Sequence, residues 1–243
     1  MIDELVAASL RGVRCDNILD IGPGYADFSR IAARVTGAQS ITFVDCDNDV
    51  LQWQSRQCRE AGIDARLLPV LLDAATVASI RERYGLIHCQ EVLEHLPDAP
   101  EVLRALAGLL IPGGRIIITV PTRRSERLLR FLNPSYMRNE PHGHVNEFDE
   151  AALRALIARA GLAVLTFAPA QPQYFIGHTW LAATRMKIDG STGKILTRGV
   201  RGFVFGNLVK YSRLVFTATG LALWSRVFPR NYFVVAGRHE DTR

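Results

Sequence analysis

A glycine turn directly follows a run of residues suited to a buried strand near the N-terminus. In the stretch NILDIGPGYADFS, Gly22, Pro23 and Gly24 separate the strand-like segment 18–21 from a helix-like segment. Glycine lets a backbone pass close beneath a ligand, and a helix that begins just beyond the turn presents free N–H groups and the positive end of its dipole. The turn therefore predicts a ligand site at the carboxyl end of the first strand.

An acid ends the second strand-like segment, ITFVDCDN. Asp45 follows Gly24 by 21 residues. From that position a carboxylate at the end of a neighbouring strand accepts hydrogen bonds from both hydroxyls of a ribose. Asp47 is the better candidate for capping the following helix. Together the turn and Asp45 predict a cofactor that contains a nucleoside.

Asp27 occupies the position at which a dinucleotide-binding turn, G-x-G-x-x-G, has its third glycine. An acid beside a pyrophosphate is unfavourable, whereas Asp20, Asp27 and Asp45 suit a nucleoside with a positively charged sulfonium centre. The pattern favours the sulfonium nucleoside. Two alternatives stay open: a nicotinamide-dependent reductase on the same kind of sheet, and a non-catalytic protein that only binds the cofactor.

The elements that must position these residues alternate between strand and helix patterns. The expected strands are 18–21, 40–44, 67–72, 86–89, 115–120 and 162–167, and the expected helices are 27–35, 48–61, 74–83, 99–110 and 150–160. Such alternation implies right-handed crossovers and a mainly parallel sheet with helices on both faces. With a last strand in NYFVVAGRH, the sequence predicts an α/β, doubly wound, seven-stranded sheet within a single domain over 1–243. Asp98 and Asp149 are the expected N-caps of two of the helices.

Bulk composition excludes several classes of protein. The 243 residues are 48% hydrophobic, which is ample for a core, and no apolar run approaches the length of a membrane span. The N-terminal residues lack the basic and apolar pattern of a secretory leader, so we expect a cytoplasmic protein. Four cysteines without CxxC spacing predict neither a zinc site nor a disulfide framework.

The segment 171–230 breaks the alternation and carries much of the positive charge. Residues 1–121 hold 11 basic and 16 acidic residues, whereas 122–243 hold 18 and 8. We expect a helical insertion, with two helices around the turn DGSTGK. Its basic and aromatic composition suits a lid or wall of a substrate pocket, a peripheral contact with the inner face of a membrane, or a homodimer interface, and these stay open. Nucleic acid is not an expected partner, because no recognition motif is present.

Six segments, in this order and spacing, resemble the class I S-adenosylmethionine-dependent methyltransferases. They are ILDIGPGYADFS, FVDCD, LLPVLLDAA, LIHCQEVLEHLPD, LIPGGRIIITVP and HVNEFDEAALRALIARAGL. Within this family they are most similar to the small-molecule group that includes ubiquinone-type O-methyltransferases, with their E-V-L-E-H segment. The resemblance covers about residues 15–168 and the last strand. It implies S-adenosylmethionine as cofactor and methyl transfer, with the hydroxyl of a small or lipid-linked molecule, a quinone-like ring or a sugar, as the favoured methyl acceptor.

The resemblance also implies a role for individual residues around the cofactor. The methionine part of the cofactor would be held by Asp20, Gly22, Pro23 and Gly24, and Gln90 and Glu91 would lie near its end. The ribose would be bound by Asp45. The adenine would be contacted by Cys46, Asp73 and Ala74. This sequence departs from the family at Ala26, the third small residue of the turn, and at Gly85, where the fourth strand usually starts with an acid. Neither change removes a residue on which cofactor binding chiefly depends.

Methylation of a hydroxyl needs an in-line approach to the methyl carbon and a base that takes the proton. The candidate bases are His142 and His144, in the loop NEPHGHVNEF that should overhang the site, and His95. Each of them could instead be a hydrogen-bonded structural histidine. A metal site built from His142, His144 and Glu147 is not expected, because the sequence offers no fourth ligand.

Overall fold

Seven strands and ten helices make up the part of the chain that this computed structural model describes, residues 2–134, 143–184 and 200–239. The strands are β1 (Asn17–Ile21), β2 (Ser40–Asp45), β3 (Asp64–Pro69), β4 (Tyr84–Gln90), β5 (Leu110–Pro121), β6 (Leu162–Ala170) and β7 (Asn231–Arg238). The helices are α1 (Ile2–Ser9), α2 (Phe28–Thr36), α3 (Asn48–Glu60), α4 (Ala74–Ser79), α5 (Ala99–Gly108), α6 (Arg123–Leu132), α7 (Glu150–Arg159), α8 (Pro172–Ala183), α9 (Val200–Thr219) and α10 (Leu221–Val227).

The strands form one sheet in the order β3-β2-β1-β4-β5-β7-β6. Neighbours among β1 to β5 pair in parallel, and β7 is antiparallel to both β5 and β6. The predicted α/β fold with a mainly parallel seven-stranded sheet is therefore confirmed. The chain order reverses between β1 and β4, which opens a crevice at the carboxyl ends of these strands.

Both faces of the sheet are buried, because successive side chains of a strand point to opposite sides. On β1, Ile18 packs in a cluster with buried residues of α1, α2 and α3, whereas Leu19 packs with buried residues of α4, α5 and α7. The carboxyl ends of the central strands are thus held rigidly from two sides.

Two predicted boundaries near the edge of the sheet were wrong. The strand expected at 67–72 is β3, at 64–69, and among the described strands it pairs with β2 alone, from Asp64 opposite Ser40 onward. An edge strand is half exposed, so its apolar residues do not mark its ends. The helix expected at 74–83 stops at Ser79, because Ile80 is already extended, with φ −68° and ψ 123°.

The expected cap at Asp98 was also wrong. Its side chain makes no capping hydrogen bond on α5, and its Oδ2 instead accepts from the N–H of Ala74 at 3.0 Å, at the start of α4. Asp47 and Asp149 do cap α3 and α7, as predicted. The α5 helix ends at Gly108, two residues before its predicted end, since β5 already begins at 110.

Elements that the sequence did not predict surround the last strands. These are α1 and α6, together with a third helix in the segment 171–230, where two were expected; the turn DGSTGK lies outside the described residues. Apolar side chains of this segment are exposed, among them Tyr211, Leu214 and Leu223. The lid, membrane-contact and homodimer interpretations stay predictions. None of the helices in the described ranges is both long and apolar enough to cross a membrane.

Candidate active site

A cavity of about 330 Å³ opens at the carboxyl edge of the sheet. It is bounded by the loop after β1, by the ends of β2, β4 and β5, by the residue after β6 and by the start of β7. Seven of the predicted cofactor residues line it, namely Asp20, Gly22, Pro23, Gly24, Asp45, Gln90 and Glu91. The fold therefore brings together residues that lie up to 71 positions apart in the sequence.

The turn after β1 requires glycine at its first position. Gly22 has φ +62°, and a Cβ placed there would lie 2.7 Å from Cγ2 of Val92. Its N–H donates to the carbonyl of Val44 at 2.9 Å, which ties the turn to β2. Gly24, with φ +51°, has open space around it. A ligand can therefore approach this backbone closely.

The side chain of Gln54, on α3, fixes the turn from the side. Its Nε2 donates to the carbonyls of Gly24 at 2.8 Å and of Ala26 at 3.0 Å, and its Oε1 accepts from Arg30. Sequence reasoning missed this residue. The available signal was its position on the apolar face of α3, in helical spacing with Val50 and Cys58.

Asp27 does not face the cavity, which corrects the argument made from its position in the turn. Its carboxylate pairs with Arg30, its side chain is 64% exposed, and it is absent from the cavity lining. The guanidinium of Arg30 also lies 5.1 Å from the ring centroid of Trp53. The cavity lining is still acidic without Asp27, because it contains Asp20, Asp45, Asp47 and Glu91.

Asp20 stands at the floor of the cavity, at the end of a short hydrogen-bond relay. Burial raises the pKa of its carboxyl to about 7, although the hydrogen bond from Ser29 opposes this. The hydroxyl of Ser29 donates to Asp20 Oδ2 at 2.5 Å and lies 3.1 Å from Nδ1 of His88. Neither Ser29 nor His88 was singled out from the sequence.

His88 is buried beside Ser29. Burial lowers the pKa of the imidazole to about 3, so the ring is neutral, and its Nε2 is buried without a hydrogen-bond partner among the described residues. Its Nδ1 faces both Oγ of Ser29, at 3.1 Å, and Nε2 of Gln90, at 3.5 Å. The hydroxyl of Ser29 donates to Asp20, and this hydrogen bond favours the ionised form of Asp20.

Three predicted cofactor residues lie outside the cavity lining. Cys46 is exposed, Asp73 caps α4 by accepting from the N–H of Thr76 at 2.7 Å, and Ala74 follows it. Their predicted contacts with adenine stay predictions. Asp45 does line the cavity, and its Oδ1 accepts from the N–H of Asp47 at 2.9 Å.

A second group of polar side chains is buried close enough to Glu91 to influence its carboxyl. Glu126, on α6, is 1% exposed; its Oε2 lies 2.8 Å from Nδ1 of His144, and its Oε1 accepts from Arg230 at 2.8 Å. Arg130 lies 3.7 Å from the same carboxylate and pairs with Glu147. These contacts join α6, the segment before α7 and the start of β7.

The charges of this group fix the protonation of Glu126. Burial alone would raise its pKa, but the hydrogen bond with His144 and the charges of Arg230 and Arg130 lower it to about 2. An ionised carboxylate can only accept, so Nδ1 of His144 carries a proton and, in the neutral ring, Nε2 is left as the basic atom.

His95 and His144 are brought together, with their ring centroids 4.8 Å apart in an edge-to-face arrangement. Glu94, His95 and His144 each have one possible ligand atom within 4.8 Å of those of the other two, close enough to hold a metal ion together. The trio His142, His144 and Glu147 is not tested, because His142 lies outside the described residues.

Neither His95 nor His144 is part of the cavity lining, whereas Glu91 is. Glu91 as a whole residue is exposed. Burial raises the pKa of its carboxyl, while the charges of Arg230 and His144 and a hydrogen bond from Thr119 at 2.9 Å lower it.

Comparison with known proteins assigns the chain to a protein family. The family model described as "Methyltransferase domain" matches residues 1–166. The chain is 31% identical over 170 residues to the ubiquinone biosynthesis O-methyltransferase of Aeromonas salmonicida, covering 66% of this chain and 70% of that protein. It is 30% identical over 200 residues to the enzyme of that name from Bordetella avium, covering 76% and 79%. The chain belongs to the class I S-adenosylmethionine-dependent methyltransferases.

Solved structures show that the fold of this methyltransferase is shared. An S-adenosylmethionine-dependent methyltransferase from Clostridium acetobutylicum superposes with a TM-score of 0.58 at 11% identity, over 97% of this chain and 90% of that one. The magnesium protoporphyrin IX methyltransferase of Synechocystis with bound SAH gives 0.56 at 14% identity, over 98% and 82%. The [4+2]-cyclase SpnF gives 0.58 at 18% identity, over 97% and 81%. Because the fold also supports a cyclase, the enzyme class rests on the family match, and S-adenosylmethionine is the cofactor of this methyltransferase.

Proposed function

We propose that this methyltransferase methylates a hydroxyl group of a small or lipid-linked molecule, with a quinone-like ring favoured over a sugar. The observation that carries the proposal is the buried Glu126–His144 pair, which acts electrostatically on Glu91 of the cavity lining, because hydroxyl methylation needs a base. The quinone-like ring is suggested by the names of the relatives, which are ubiquinone biosynthesis O-methyltransferases. Some of these relatives are matched over only about half of their length; for the protein of Serratia proteamaculans the share is 48%. Exposed apolar side chains on α9 and α10 suit a lipid-linked substrate.

The cavity residues fit the cofactor in charge and in space. When bound, S-adenosylmethionine supplies an electrophilic methyl group on a sulfonium centre. In the proposal Asp45 accepts from the ribose hydroxyls, Asp20 faces the positively charged methionine end, and the Gly22–Gly24 backbone lies beneath it. The four acids that line the cavity favour a cationic ligand over a pyrophosphate. The adenine contacts of Cys46, Asp73 and Ala74, and those of Gln90 and Glu91 near the methionine end, belong to the same proposal.

His144 is the best oriented of the candidate bases. Its Nδ1 is held by Glu126, so in the proposal Nε2 takes the proton of the methyl acceptor's hydroxyl as the oxygen forms its new bond to carbon. Because His144 does not line the cavity, the proposal requires the acceptor to reach past the lining residues to this nitrogen. His95 packs against the His144 ring and is assigned a positioning role. His142 stays a candidate from the sequence alone.

The test combines calorimetry with transfer of a radiolabelled methyl group by the full chain. Purified protein is titrated with S-adenosylmethionine and then given a prenylated catechol, a prenylated phenol or a methyl glycoside. We expect binding, and transfer to the catechol. Asp45→Ala should weaken binding at least tenfold, and His144→Ala should lower turnover about 10²-fold or more with little effect on binding. Asp64→Asn, an exposed change at the opposite edge of the sheet, is the control.

Each part of the proposal can fail separately. Transfer to the glycoside alone would replace the ring by a sugar as the methyl acceptor. Binding without transfer to any compound would favour the non-catalytic alternative, and His144→Ala with wild-type turnover would remove the assigned base. The nicotinamide-dependent reductase is not favoured by the family match.

A further inference from the structure

The cavity is longer than the part that the proposed function assigns to the cofactor. It runs from Asp45, at the end of β2, to Asn231, at the start of β7. Four strand spacings separate β2 from β7, which is a width of about 19 Å. A ribose at β2 and a methionine end at β4 take up the first half. About 10 Å along β4, β5 and β7 is left for the methyl acceptor.

Backbone strain is concentrated in this second half. Within the described ranges, the non-glycine residues with positive φ are Glu91, at 55°, and Gln171, at 56°, and both line the cavity. Left-handed backbone is unfavourable for side chains of this kind, and it persists at positions that the surrounding structure fixes, often at binding sites. The two strained residues lie just after β4 and just after β6, on either side of the remaining space.

We call the residues that bound this space the far wall: Glu91, Thr119, Gln171 and Asn231. Asn231 is 3% exposed; its Nδ2 donates to Oε1 of Gln171 at 2.5 Å, and its Oδ1 has no hydrogen-bond partner among the described residues. Oε1 of the neighbouring Gln90 is in the same condition. Buried polar atoms are nearly always satisfied, so oxygens left over beside a cavity indicate a ligand that donates to them.

The chemistry of the far wall limits which chemical groups of a ligand can bind there. The unsatisfied atoms are amide oxygens, which take O–H or N–H donors and repel carboxylates and phosphates. Arg230 precedes Asn231, but its Nη1 donates to Ser125 and Glu126. The unsatisfied amide oxygens therefore suit a hydrogen-bond donor, and a ring hydroxyl is the donor that the proposed function supplies.

We propose that Asn231, held in place by Gln171, binds a hydroxyl group of the methyl acceptor other than the one that is methylated. This inference rests on the proposed function and adds a specificity-determining pair to it. A substrate with the second hydroxyl satisfies Oδ1 of Asn231, whereas a substrate without it leaves that oxygen buried and unpaired. Sites built to hydrogen-bond a hydroxyl discriminate strongly against analogues that lack it.

The test compares two probes on the full chain saturated with S-adenosylhomocysteine. A monoprenylated catechol and the monoprenylated phenol differ by one hydroxyl, and their dissociation constants are measured by calorimetry or NMR titration. We expect the catechol to bind at least tenfold more tightly. Asn231→Leu should remove most of this preference while leaving the affinities for the phenol and for S-adenosylhomocysteine unchanged, and Asn48→Leu, an exposed change, should preserve it.

A second variant guards against misfolding. Gln171→Gly removes the partner of Asn231 and relieves the left-handed backbone, so the melting temperature should not fall although the preference for the catechol does. Preservation of the preference in both variants, or its absence in the wild-type protein that binds S-adenosylhomocysteine, would overturn the proposal. Tighter binding of a ring that bears an ammonium group would also overturn it, in favour of a cation. If S-adenosylhomocysteine does not bind, the proposed function itself fails.

Discussion

Asp20 shows how a single residue couples ligand binding to stability. The pKa of its carboxyl is about 7 in the folded chain and 3.8 ordinarily, because the group is buried. The folded protein therefore holds the proton more tightly than the unfolded chain. The resulting stability is fully present below about pH 4 and is lost as the pH rises through about 7, a difference of about 4 kcal/mol.

Asp20→Asn should accordingly stabilise the protein without ligand at pH 8 and have little effect at pH 4. The same change should weaken binding of S-adenosylmethionine, and binding by the wild-type protein should tighten as the pH rises through about 7, since the ionised carboxylate attracts the cation. Denaturant unfolding at both pH values and calorimetry would measure this. Asp64→Asn serves as the exposed control. Equal destabilisation by Asp20→Asn at pH 4 and pH 8 would contradict the assignment.

At the scale of elements, the turn between β1 and α2 is held by two neighbours. Gln54 of α3 bonds its carbonyls, and Val92, just after β4, leaves no room for a side chain at Gly22. The sequence could predict that the turn exists and where it lies, because a positive φ favours glycine locally. It could not show which elements pack against it.

Gly22→Ala and Gly62→Ala form a matched pair that separates backbone strain from packing. Both glycines have positive φ, 62° and 70°, but a Cβ at Gly62 would meet nothing within 4 Å. Gly62→Ala should lower the free energy of unfolding by about 1–2 kcal/mol, and Gly22→Ala by about 1–3 kcal/mol more because of the contact with Val92. Denaturant unfolding measures both. Adding Val92→Ala to Gly22→Ala should recover part of the loss; no recovery would mean that the contact is unimportant.

Across the whole molecule, the group around Glu126 ties separate parts of the chain together. Its contacts reach Arg230 at the start of β7 and His144 in the segment before α7, while α6 also packs against α8. The pKa of Glu126 is about 2, below its ordinary 4.5, so this carboxylate stabilises the fold above about pH 4.5. That stability is lost as the pH falls through about 2. The difference amounts to about 3 kcal/mol.

Glu126→Gln should therefore lower the free energy of unfolding by about 3–5 kcal/mol at pH 7, because Arg230 loses its buried partner. The deficit should shrink at pH 3, because Glu126 is then mostly protonated in the unfolded wild-type chain and much of the stability from its lowered pKa is lost. Glu150→Gln, which breaks the exposed pair with Arg154, is the control and should cost less than about 1 kcal/mol. Denaturant unfolding of the three proteins at both pH values measures this, and a deficit that does not depend on pH would refute the electrostatic explanation.

The sequence by itself determined the order of strands and helices around β1 and β2, the glycine turn and the acid at Asp45. These features depend on local rules: apolar runs for strands that are buried on both faces, and glycine where φ is positive. Such rules act between residues that are close in the chain, so they can be applied to the sequence without knowing the tertiary structure. They fail for the half-exposed β3 and for α6.

Only the tertiary structure decided which side chains complete the site. Ser29 and His88 are 59 residues apart, Gln171 and Asn231 are 60 apart, and Glu126 and Arg230 are 104 apart. No periodicity links such pairs, because they meet only when strands from distant parts of the chain end at the same edge of the sheet. Asp27 is a different case, because its carboxylate pairs with Arg30 only three residues away, and which way it points depends on how neighbouring elements orient the turn.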